Sequence, residues 1–346
     1  MNRDIEKAAT DVGQQPVAIG RQGAVTIYDV ARHAGVSPST VSRALGKPGR
    51  ISARTERRIQ DAAAELGYRA NPMARALPTG RTQTLGLIVT DFTNPVYFDL
   101  VRGAERAAAE AGYTMVLAES QESGAAESNA VERVRPLVDG FVLAAPRLDD
   151  EALTAIAQDT SLVLVNRAVT GIASVVVDVR TGLSAALDHL RAHGHSSIGY
   201  LSGPARSWIN ARRWEVLMEE APRRGMHIVE IPTTEPTLVG GRDALPRVRA
   251  AGVSALVAYN DLIAIGLLRE AQATGLDVPG DLSIVGFDDI FGAELVTPEL
   301  STIRVPLGAL GEAAIRVLIG RVDPETHEPA KAEFVPRQST GPARSR

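Results

Sequence analysis

From Thr84 onward, short apolar segments alternate with longer amphipathic ones, and this alternation constrains the fold more than any other feature. The first series of apolar segments is TLGLIV, YTMVLA, GFVLAA and SLVLV, and the second is SIGYLS, HIVEI, SALVAY and LSIVGF. Helical runs such as FDLVRGAERAAAEAG, GLSAALDHLRAHG and DLIAIGLLREAQATG separate them. Near-continuous apolar strands alternating with helices are typical of parallel sheets covered on both faces. Two successive series predict an α/β core of two lobes, with a cleft at the carboxyl ends of the strands.

Before this core, the stretch TIYDVARHAGVSPSTVSRALG predicts two short helices joined by a glycine-containing turn. Thr26 and Asp29 have the spacing of a capping box, which marks the start of the first helix. Ser37 is a good N-cap for the second helix, and Pro38 stands at its first position, where the missing N–H costs nothing. A third helix, ARTERRIQDAAAEL, follows its cap Ser52. Together the three helices predict a helix-turn-helix domain.

The charge of the chain is divided between these two regions. Residues 24–81 hold ten Lys and Arg against four Asp and Glu, whereas the whole chain has a net charge of −4. A basic segment on an acidic body predicts that only the helix-turn-helix region meets a polyanion. The alternative for any isolated run of charge is a solvated basic surface, and the helix-turn-helix motif beneath this one favours the first interpretation.

Composition excludes several classes of protein. The 346 residues suffice for more than one domain, and no apolar run is long enough to span a membrane. The absence of cysteine excludes disulfides, thiolate nucleophiles and cysteine metal sites. Residues 1–23 lack the apolar core of a secretory signal and predict a polar, disordered extension of a cytoplasmic protein.

Between the helix-turn-helix and the core lies the short segment NPMARAL. Asn71 is a suitable cap, and the proline after it fits the first helical position. One or two helical turns are too short to be stable alone, so this helix should form only when something packs against it.

These segments, in this order, resemble the lactose/galactose-repressor (LacI/GalR) family of transcriptional regulators across nearly all of residues 25–340. The resemblance is carried by the helix-turn-helix stretch and by later blocks that include DFTNPVYFDLVRGAERAAAEAGY, VVVDVRTGLSAALDHLRAHGHSSIGYLSGP, YNDLIAIGLLREAQATGLDVPGDLSIVGFDD and TPELSTIRVPLGALGEAA. It implies an α/β fold class with an N-terminal three-helix DNA-binding domain and a hinge helix, then a two-lobed periplasmic-binding-protein-like core with parallel sheets. It also implies a homodimer in which a small ligand between the lobes alters operator binding.

The domain organisation follows from the segments and the resemblance together. We expect a disordered extension at 1–23, a helix-turn-helix DNA-binding domain at 24–70, a hinge helix and linker at 71–82, an effector-binding and dimerisation domain at 83–340, and a tail at 341–346.

The DNA contacts follow from the helix-turn-helix geometry and from the family. The second helix lies in the major groove, where Arg43 can bond O6 and N7 of guanine together. By resemblance, Thr26 and Tyr28 contact phosphates, and NPMARAL is a hinge helix that inserts Leu77 between base pairs of the minor groove. For the serines and threonines the alternative is ordinary helix surface, and for Leu77 it is passive linker. The predicted DNA-binding residues are Thr26, Tyr28, Ser37, Pro38, Ser39, Thr40, Ser42, Arg43, Asn71, Arg75 and Leu77.

A small polar ligand in the cleft needs a few convergent hydrogen-bonding groups on the loops after the strands. Positions that match the family's ligand contacts carry Asn, Asp and Arg, which can make paired bonds to adjacent hydroxyls, and aromatic rings that can cover a sugar face. The predicted effector-binding residues are Asn94, Phe98, Asn166, Trp208, Arg213, Asn260 and Asp288. The alternative for Asp288 is loop capping, and for Trp208 it is packing within a lobe. Sugars are the favoured effectors, with nucleosides next.

Two positions depart from the family pattern. Val216 and Leu217 stand where members commonly carry a glycine and an aromatic residue, which predicts a changed pocket wall.

Other functions fit the sequence less well. A transport-associated binding protein would explain two lobes but would not need residues 24–81. An enzyme would need a catalytic constellation, and YLSGP lacks the G-x-S-x-G spacing of a nucleophile elbow. The run HLRAHGH has metal-like spacing without a carboxylate partner, so His189, His193 and His195 are predicted to be structural. We therefore expect a non-enzyme without metal or cofactor, whose partners are double-stranded DNA, a small effector and a second copy of itself. The end GPARSR lacks the apolar heptads of a tetramerising helix, which favours a dimer.

Overall fold

A computed structural model of the chain describes residues 25–46, 51–68, 81–323 and 328–344. They belong to two compact units, one within Met1–Gly80 and one within Arg81–Arg346. The described part of the smaller unit is helical, and the larger unit is α/β.

The described part of the smaller unit contains three helices: α1 (Ile27–His33), α2 (Pro38–Gly46) and α3 (Ala53–Glu65). They share a small core in which Val30, Val41 and Ile59 are fully buried. Apolar residues at helical spacing thus face one another and leave the polar faces to solvent.

Side-chain caps set the starts of these helices, as the sequence predicts. The Asp29 carboxylate accepts a hydrogen bond from the Thr26 hydroxyl at 2.6 Å and another from the Thr26 N–H at 2.9 Å. Ser37 Oγ accepts from the Thr40 N–H at 3.2 Å, and Ser52 Oγ accepts from Thr55 at 3.3 Å. Each cap satisfies a backbone donor that the first helical turn leaves unpaired.

The first lobe of the larger unit, called lobe 1, is a five-stranded parallel sheet in the order β2-β1-β3-β4-β5. Its strands are nearly continuous apolar runs, and helices cover both faces. Its elements are β1 (Thr84–Val89), α4 (Val96–Glu110), β2 (Thr114–Glu119), α5 (Gly124–Val134), a 3-10 turn (Arg135–Leu137), β3 (Gly140–Ala144), α6 (Asp150–Asp159), β4 (Ser161–Val165) and β5 (Ala173–Val175).

The second lobe, called lobe 2, is a four-stranded parallel sheet in the order β10-β9-β7-β8. Its elements are α7 (Val179–Ala192), which follows the short strand β6 (Val177–Asp178), then β7 (Ser197–Ser202), α8 (Trp208–Arg223), β8 (His227–Pro232), α9 (Leu238–Ala251), β9 (Ala255–Ala258), α10 (Asp261–Ala273), β10 (Ser283–Val285) and a 3-10 turn (Phe291–Glu294). Both predicted strand series are confirmed, with ends that differ by a residue or two from the sequence pattern.

Short strands near the junction of the lobes were not predicted from the sequence. They are β5 and β6, whose bounds are given above, and β11 (Thr302–Arg304), β12 (Ala330–Lys331) and β13 (Glu333–Val335), with helix α11 (Leu307–Leu318) between β11 and β12. The strand β11 pairs antiparallel with β13, and β12 pairs with β6. After β11 the chain leaves lobe 2, and α11 packs in lobe 1. The chain then returns to the junction of the lobes at β12 and β13.

The helix α11 packs against α4 in lobe 1 with almost no space between the backbones. A Cβ added at Gly311 would overlap the carbonyl oxygen of Leu100, and one added at Gly103 would overlap that of Gly308. Glycine is therefore required at these two positions for close approach rather than for an unusual backbone conformation.

Candidate functional site

A cleft opens in the larger unit where the carboxyl ends of strands from both sheets meet. Lobe 1 contributes residues that follow β1, β2, β3 and β4, and lobe 2 contributes α8 and residues that follow β9 and β10. The cleft volume of about 580 Å³ includes space open to solvent. Open α/β sheets bind small ligands at this position. The polar residues that line it include Asn94, Tyr97, Glu122, Asn166, Arg213, Tyr259, Asn260 and Asp288.

An ion pair between Arg213 and Asp288 forms part of the lobe 2 wall. Nη2 of Arg213 lies 3.3 Å from Oδ1 of Asp288, and the side chains are only 5% and 10% exposed. Nη1 of Arg213 donates to the carbonyl oxygen of Tyr259. The guanidinium carbon lies 3.5 Å from the centre of the Phe287 ring, a cation–π contact. These contacts fix the guanidinium and leave its buried Nε without a partner among the described residues.

The backbone at Asp288 is strained, and its carboxyl group is perturbed. Its φ of 110° lies in a region that L residues rarely adopt. Its N–H donates to the carbonyl oxygen of Ile303 at 2.8 Å, so the segment that contains β11 holds this conformation. Burial raises the pKa of Asp288 to about 7, although the Arg213 guanidinium acts in the opposite direction. Strain and a shifted pKa at one cleft residue are typical of a functional site.

The adjacent residues Asn260 and Asp261 fix the start of α10 at the floor of the cleft. Asn260 caps the helix by accepting from the N–H of Ile263 at 2.9 Å, and its amide donates to the carbonyl oxygen of Pro236 at 3.0 Å. Asp261 is fully buried and accepts from the Thr302 hydroxyl at 2.6 Å and from a backbone N–H at 2.9 Å. Burial raises the pKa of Asp261 well above its usual value, and the nearby Asp288 carboxylate adds to this rise. The segment after β10 is thereby tied to α10.

The lobe 1 wall carries an amide oxygen with no partner. Asn166 has a left-handed φ of 54°, and its buried Oδ1 makes no hydrogen bond among the described residues. A buried polar atom left unsatisfied costs about 1–3 kcal/mol, which a ligand donor would recover. Nearby, Asn94 Oδ1 accepts from the N–H of Val96 at 3.2 Å and so orients the start of α4.

The structure brings together five of the seven residues predicted to bind an effector: Asn94, Asn166, Arg213, Asn260 and Asp288. The other two are not among the residues that line the cleft, because Phe98 is half exposed on α4 and Trp208 packs against the core. Their binding role stays a prediction. Val216 and Leu217 are fully buried in the core, so they are not part of the cleft wall.

Three polar residues of the cleft were not predicted from the sequence: Tyr97, Glu122 and Tyr259. Tyr97 and Tyr259 stand within segments quoted for the family resemblance, so a signal was present for them. No local pattern marks Glu122, because it follows β2 in a loop whose course depends on tertiary contacts.

The three histidines of HLRAHGH bond to groups of lobe 2 and the C-terminal segment. His189 Nε2 lies 2.9 Å from Thr340 Oγ1, and His193 Nδ1 lies 2.9 Å from the carbonyl oxygen of His189. His195 is buried between Ser254 and the carbonyl oxygen of Gly341. Among the described residues, no group of three or more His, Asp and Glu is placed to hold a metal ion.

The predicted DNA-binding residues of the smaller unit lie at its surface. Tyr28 is 66% exposed, and the Arg43 side chain on α2 is also exposed. Ser37 Oγ lies within hydrogen-bond distance of the hydroxyls of Ser39 and Thr40, at 2.9 and 2.8 Å, which holds the start of α2 together. Thr26, Ser37, Ser39 and Ser42 are exposed, and Pro38 and Thr40 are half-buried. Asn71, Arg75 and Leu77 lie outside the described residues.

A helix-turn-helix unit and a two-lobed α/β core with a polar cleft define a DNA-binding protein with a periplasmic-binding-protein-like domain. Family models agree with this class. "Bacterial regulatory proteins, lacI family" matches residues 26–71, and "Periplasmic binding protein-like domain" matches residues 187–340.

Individual relatives cover most of the chain. It is 32% identical over 303 residues to the HTH-type transcriptional regulator GalS of Salmonella typhimurium, an alignment that covers 85% of this chain and 89% of GalS. A lac repressor dimer bound to operator and an anti-inducer shares the fold with a TM-score of 0.81 at 24% identity, covering 92% of this chain and 99% of that one. A LacI-family regulator from Enterococcus faecium with bound ribose has a TM-score of 0.66 at 26% identity, covering 75% of this chain and all of that one (100%).

The chain therefore belongs to the LacI family, and it is a DNA-binding transcriptional regulator. In the part of the chain that the structure describes, no helix combines the length and apolar character needed to cross a membrane.

Proposed function

We propose that this chain is a repressor that binds a pseudo-palindromic operator as a homodimer, and that a small sugar in the cleft controls this binding. The observation that carries the proposal is the convergence of Asn94, Asn166, Arg213, Asn260 and Asp288 on one cleft. Amide, carboxylate and guanidinium groups are suited to the adjacent hydroxyls of a sugar. The relative with bound ribose supports this choice of ligand. We assign no enzymatic activity to the chain and place it in the cytoplasm.

On the DNA side, we assign base readout to the start of α2. The exposed Arg43 is the residue most suited to guanine, with Pro38, Ser39 and Thr40 beside it. Thr26 and Tyr28 are assigned to phosphates, which fix the position of the helix rather than its sequence preference. Ser42 is assigned a place near the DNA backbone, and Ser37 a DNA contact at the start of α2.

The hinge assignment rests on the sequence. Residues 71–82 are proposed as hinge helix and linker, in which Asn71 and Arg75 contact DNA and Leu77 unstacks a base step. Ligand closure of the lobes would then change how readily two hinges pair in the dimer, and by linkage DNA would change ligand affinity by the same factor.

Exposed apolar side chains on lobe 2 support the homodimer. Phe291 in the 3-10 turn is 64% exposed, and Leu295 directly after the turn is 75% exposed. Leu238 and Val239 at the start of α9 are each about 40% exposed. Large apolar side chains left in solvent commonly mark protein interfaces.

A mobility-shift titration tests the proposal. The full-length protein is added to DNA from the promoter region that precedes its gene, with and without a panel of sugars, and to a scrambled duplex of equal composition. We expect a shift of the promoter fragment alone, altered by at least one sugar. Equal affinity for both duplexes would contradict sequence-specific operator binding. The absence of a response to any sugar would contradict control by a sugar.

A further inference from the structure

A second ion pair lies on the lobe 1 wall of the cleft, opposite the one formed by Arg213 and Asp288. Glu122 lines the cleft, and Arg147 lies behind it with a side chain that is only 2% exposed. Nε and Nη2 of Arg147 lie 2.7 and 2.6 Å from the same Glu122 oxygen, Oε2. Nη1 of Arg147 donates to the carbonyl oxygen of Ala145 at 2.6 Å. Arg147 thus holds one oxygen of Glu122, and the other oxygen, Oε1, has no hydrogen-bond partner among the described residues.

The backbone around this pair is strained in several places. Gln121 and Glu122 have left-handed φ values of 50° and 56°, and Ala145, whose carbonyl accepts from Arg147, has a φ of 50°. Asn166, on the same wall, has a φ of 54°. None of these residues is glycine, so each conformation is maintained by its surroundings at an energetic cost. Strain concentrated on one wall of a cleft is a mark of a binding surface.

The charges of the cleft are balanced within the protein. Arg147 is paired with Glu122, and Arg213 is paired with Asp288. Each guanidinium already has a carboxylate partner, so an anionic ligand would gain little neutralisation. It would meet the Glu122 carboxylate, and above pH 7 the ionised Asp288 as well, in a site of low dielectric. Among the described residues, the atoms left without a hydrogen bond include the acceptor Asn166 Oδ1 and the donors Arg213 Nε and Arg147 Nη2, although Nη2 lies close to Glu122 Oε2. Glu122 Oε1 is a further acceptor.

From this arrangement we infer that the effector is an uncharged polyhydroxy compound, and that Glu122 determines this preference by accepting a hydrogen bond from one of its hydroxyls. Arg147 is the positioning residue that holds the carboxylate. Sugars that carry a phosphate or a carboxylate are excluded by the same two acidic groups that bind the neutral form. This inference rests on the proposed function, since it specifies the ligand of the proposed cleft.

Isothermal titration of the full-length protein with matched sugars tests the preference. The neutral probes are D-ribose, D-glucose and D-galactose, and the anionic probes are ribose 5-phosphate, glucose 6-phosphate and galacturonate. We expect at least one neutral probe to bind at least about 100-fold more tightly than its anionic counterpart, a difference of about 2.7 kcal/mol. Tighter binding of an anionic probe would overturn this inference and leave the sugar-controlled regulator standing. Failure of all six probes to bind would overturn both.

Two substitutions of Glu122 distinguish the effect of its negative charge from the effect of its hydrogen bond to the ligand. In Glu122→Gln the carboxylate charge is lost and the Arg147 cation is left uncompensated, so the ratio of anionic to neutral dissociation constants should fall by about tenfold or more. In Glu122→Asp the negative charge is kept, but the side chain is one methylene shorter and the carboxylate lies farther from the ligand. The affinity for neutral sugars should therefore fall, while anionic sugars should still be excluded. Asp also tolerates the left-handed backbone, which favours folding of this variant.

The control is Glu151→Gln, which removes an exposed carboxylate on α6 and should leave the ratio unchanged. Operator binding by each variant confirms that it is folded. An unchanged ratio in Glu122→Gln, or entry of anionic probes in Glu122→Asp, would show that Glu122 does not determine the preference.

Discussion

The two units of this protein place their functional side chains in opposite ways. In the smaller unit, the predicted DNA-binding residues Tyr28 and Arg43 are exposed, and each cap that orients their helices joins residues three positions apart in the chain. In the larger unit, Arg213 and Asp288 are nearly buried and come from elements 75 residues apart. A rigid, wide partner such as a DNA groove can be met by an exposed surface. A small ligand requires a desolvated site, which only distant segments can enclose.

This difference has an energetic consequence. The exposed residues of the smaller unit cost little to place, because water satisfies them in the absence of DNA. The cleft residues carry unsatisfied atoms, left-handed backbone and raised carboxyl pKa values, and a densely packed scaffold must hold them. We therefore expect packing changes in the larger unit to have the largest effects and cap changes in the smaller unit to have the smallest.

The contact between α4 and α11 gives the largest expected effect. Gly311→Ala would place a Cβ against the Leu100 carbonyl oxygen and should lower the free energy of unfolding of the larger unit by about 3 kcal/mol, the upper range for overpacking. Calorimetry of the full chain measures it. The matched control is Gly308→Ala on the same helix, where the nearest atom is 3.6 Å away and the change should be close to neutral. Equal stability of the two variants would contradict the close packing.

Removal of the Asp288 charge should lower the affinity for the effector and leave the affinity for DNA unchanged. Asp288→Asn keeps the shape of the side chain and removes one partner of Arg213, so affinity for the effector should fall by about 30–100-fold, the loss of one charge-assisted hydrogen bond. Operator affinity without ligand should stay unchanged. Titration of both ligands checks this, with Asp243→Asn on the surface of α9 as the control. A variant that responds to the effector at the wild-type concentration would remove Asp288 from the site.

Substitution of Arg43 should reduce the sequence specificity of DNA binding and leave the affinity for the effector unchanged. Arg43→Ala should cost about 1–3 kcal/mol of discrimination at one symmetric base pair in each half-site. Binding to the operator and to single-base-pair variants measures it, with Arg57→Ala on the exposed face of α3 as the matched loss of charge. If affinity for operator and random DNA fell equally, Arg43 would be a phosphate contact.

The pH dependence of effector binding should follow Asp288. Its pKa is raised from 3.8 to about 7, so the folded protein holds a proton between these values that the unfolded chain has released. The contribution of this group to the free energy of unfolding therefore falls as pH rises through that range, and it is constant above it.

A ligand hydroxyl donates to the ionised form, so affinity should rise by up to about tenfold between pH 6 and pH 8. Calorimetric titration across this range checks the direction. Asp288→Asn should remove the slope, and a slope that persists in this variant would assign the titration to another group.

The same contrast explains how much of the molecule the sequence could predict. The caps at Ser37 and Ser52 and four strands in each lobe depend on short-range patterns, and these were predicted. The short fifth strand of lobe 1, β5, was not. Asn94, Asn166, Arg213, Asn260 and Asp288 were found through the family resemblance, and the structure brings them together.

The remainder depends on tertiary contacts that leave no local signal. Glu122 has a left-handed backbone conformation that no glycine in the sequence indicates. Arg147, which follows a different strand, donates a hydrogen bond to its side chain. The strands β11, β12 and β13 have two or three residues each, too few for a periodic pattern. Phe98 and Trp208 were expected at the cleft; Phe98 is half exposed and Trp208 packs against the core, and their binding role stays a prediction.

The smallest expected effect concerns the cap of α3, and it tests whether the smaller unit is stabilised as locally as its sequence suggests. Ser52 Oγ accepts from the Thr55 N–H at 3.3 Å, so Ser52→Ala leaves that donor unpaired and should cost about 1 kcal/mol. Amide hydrogen exchange in the full-length chain measures this change. Exchange along α3 should accelerate about fivefold, while the larger unit should be unaffected. Gln60→Ala in the exposed middle of the same helix removes no cap and should not accelerate exchange. Faster exchange in the strands of lobe 1 after Ser52→Ala would show that the two units are energetically coupled. That result would contradict the view that the smaller unit is stabilised by local contacts alone.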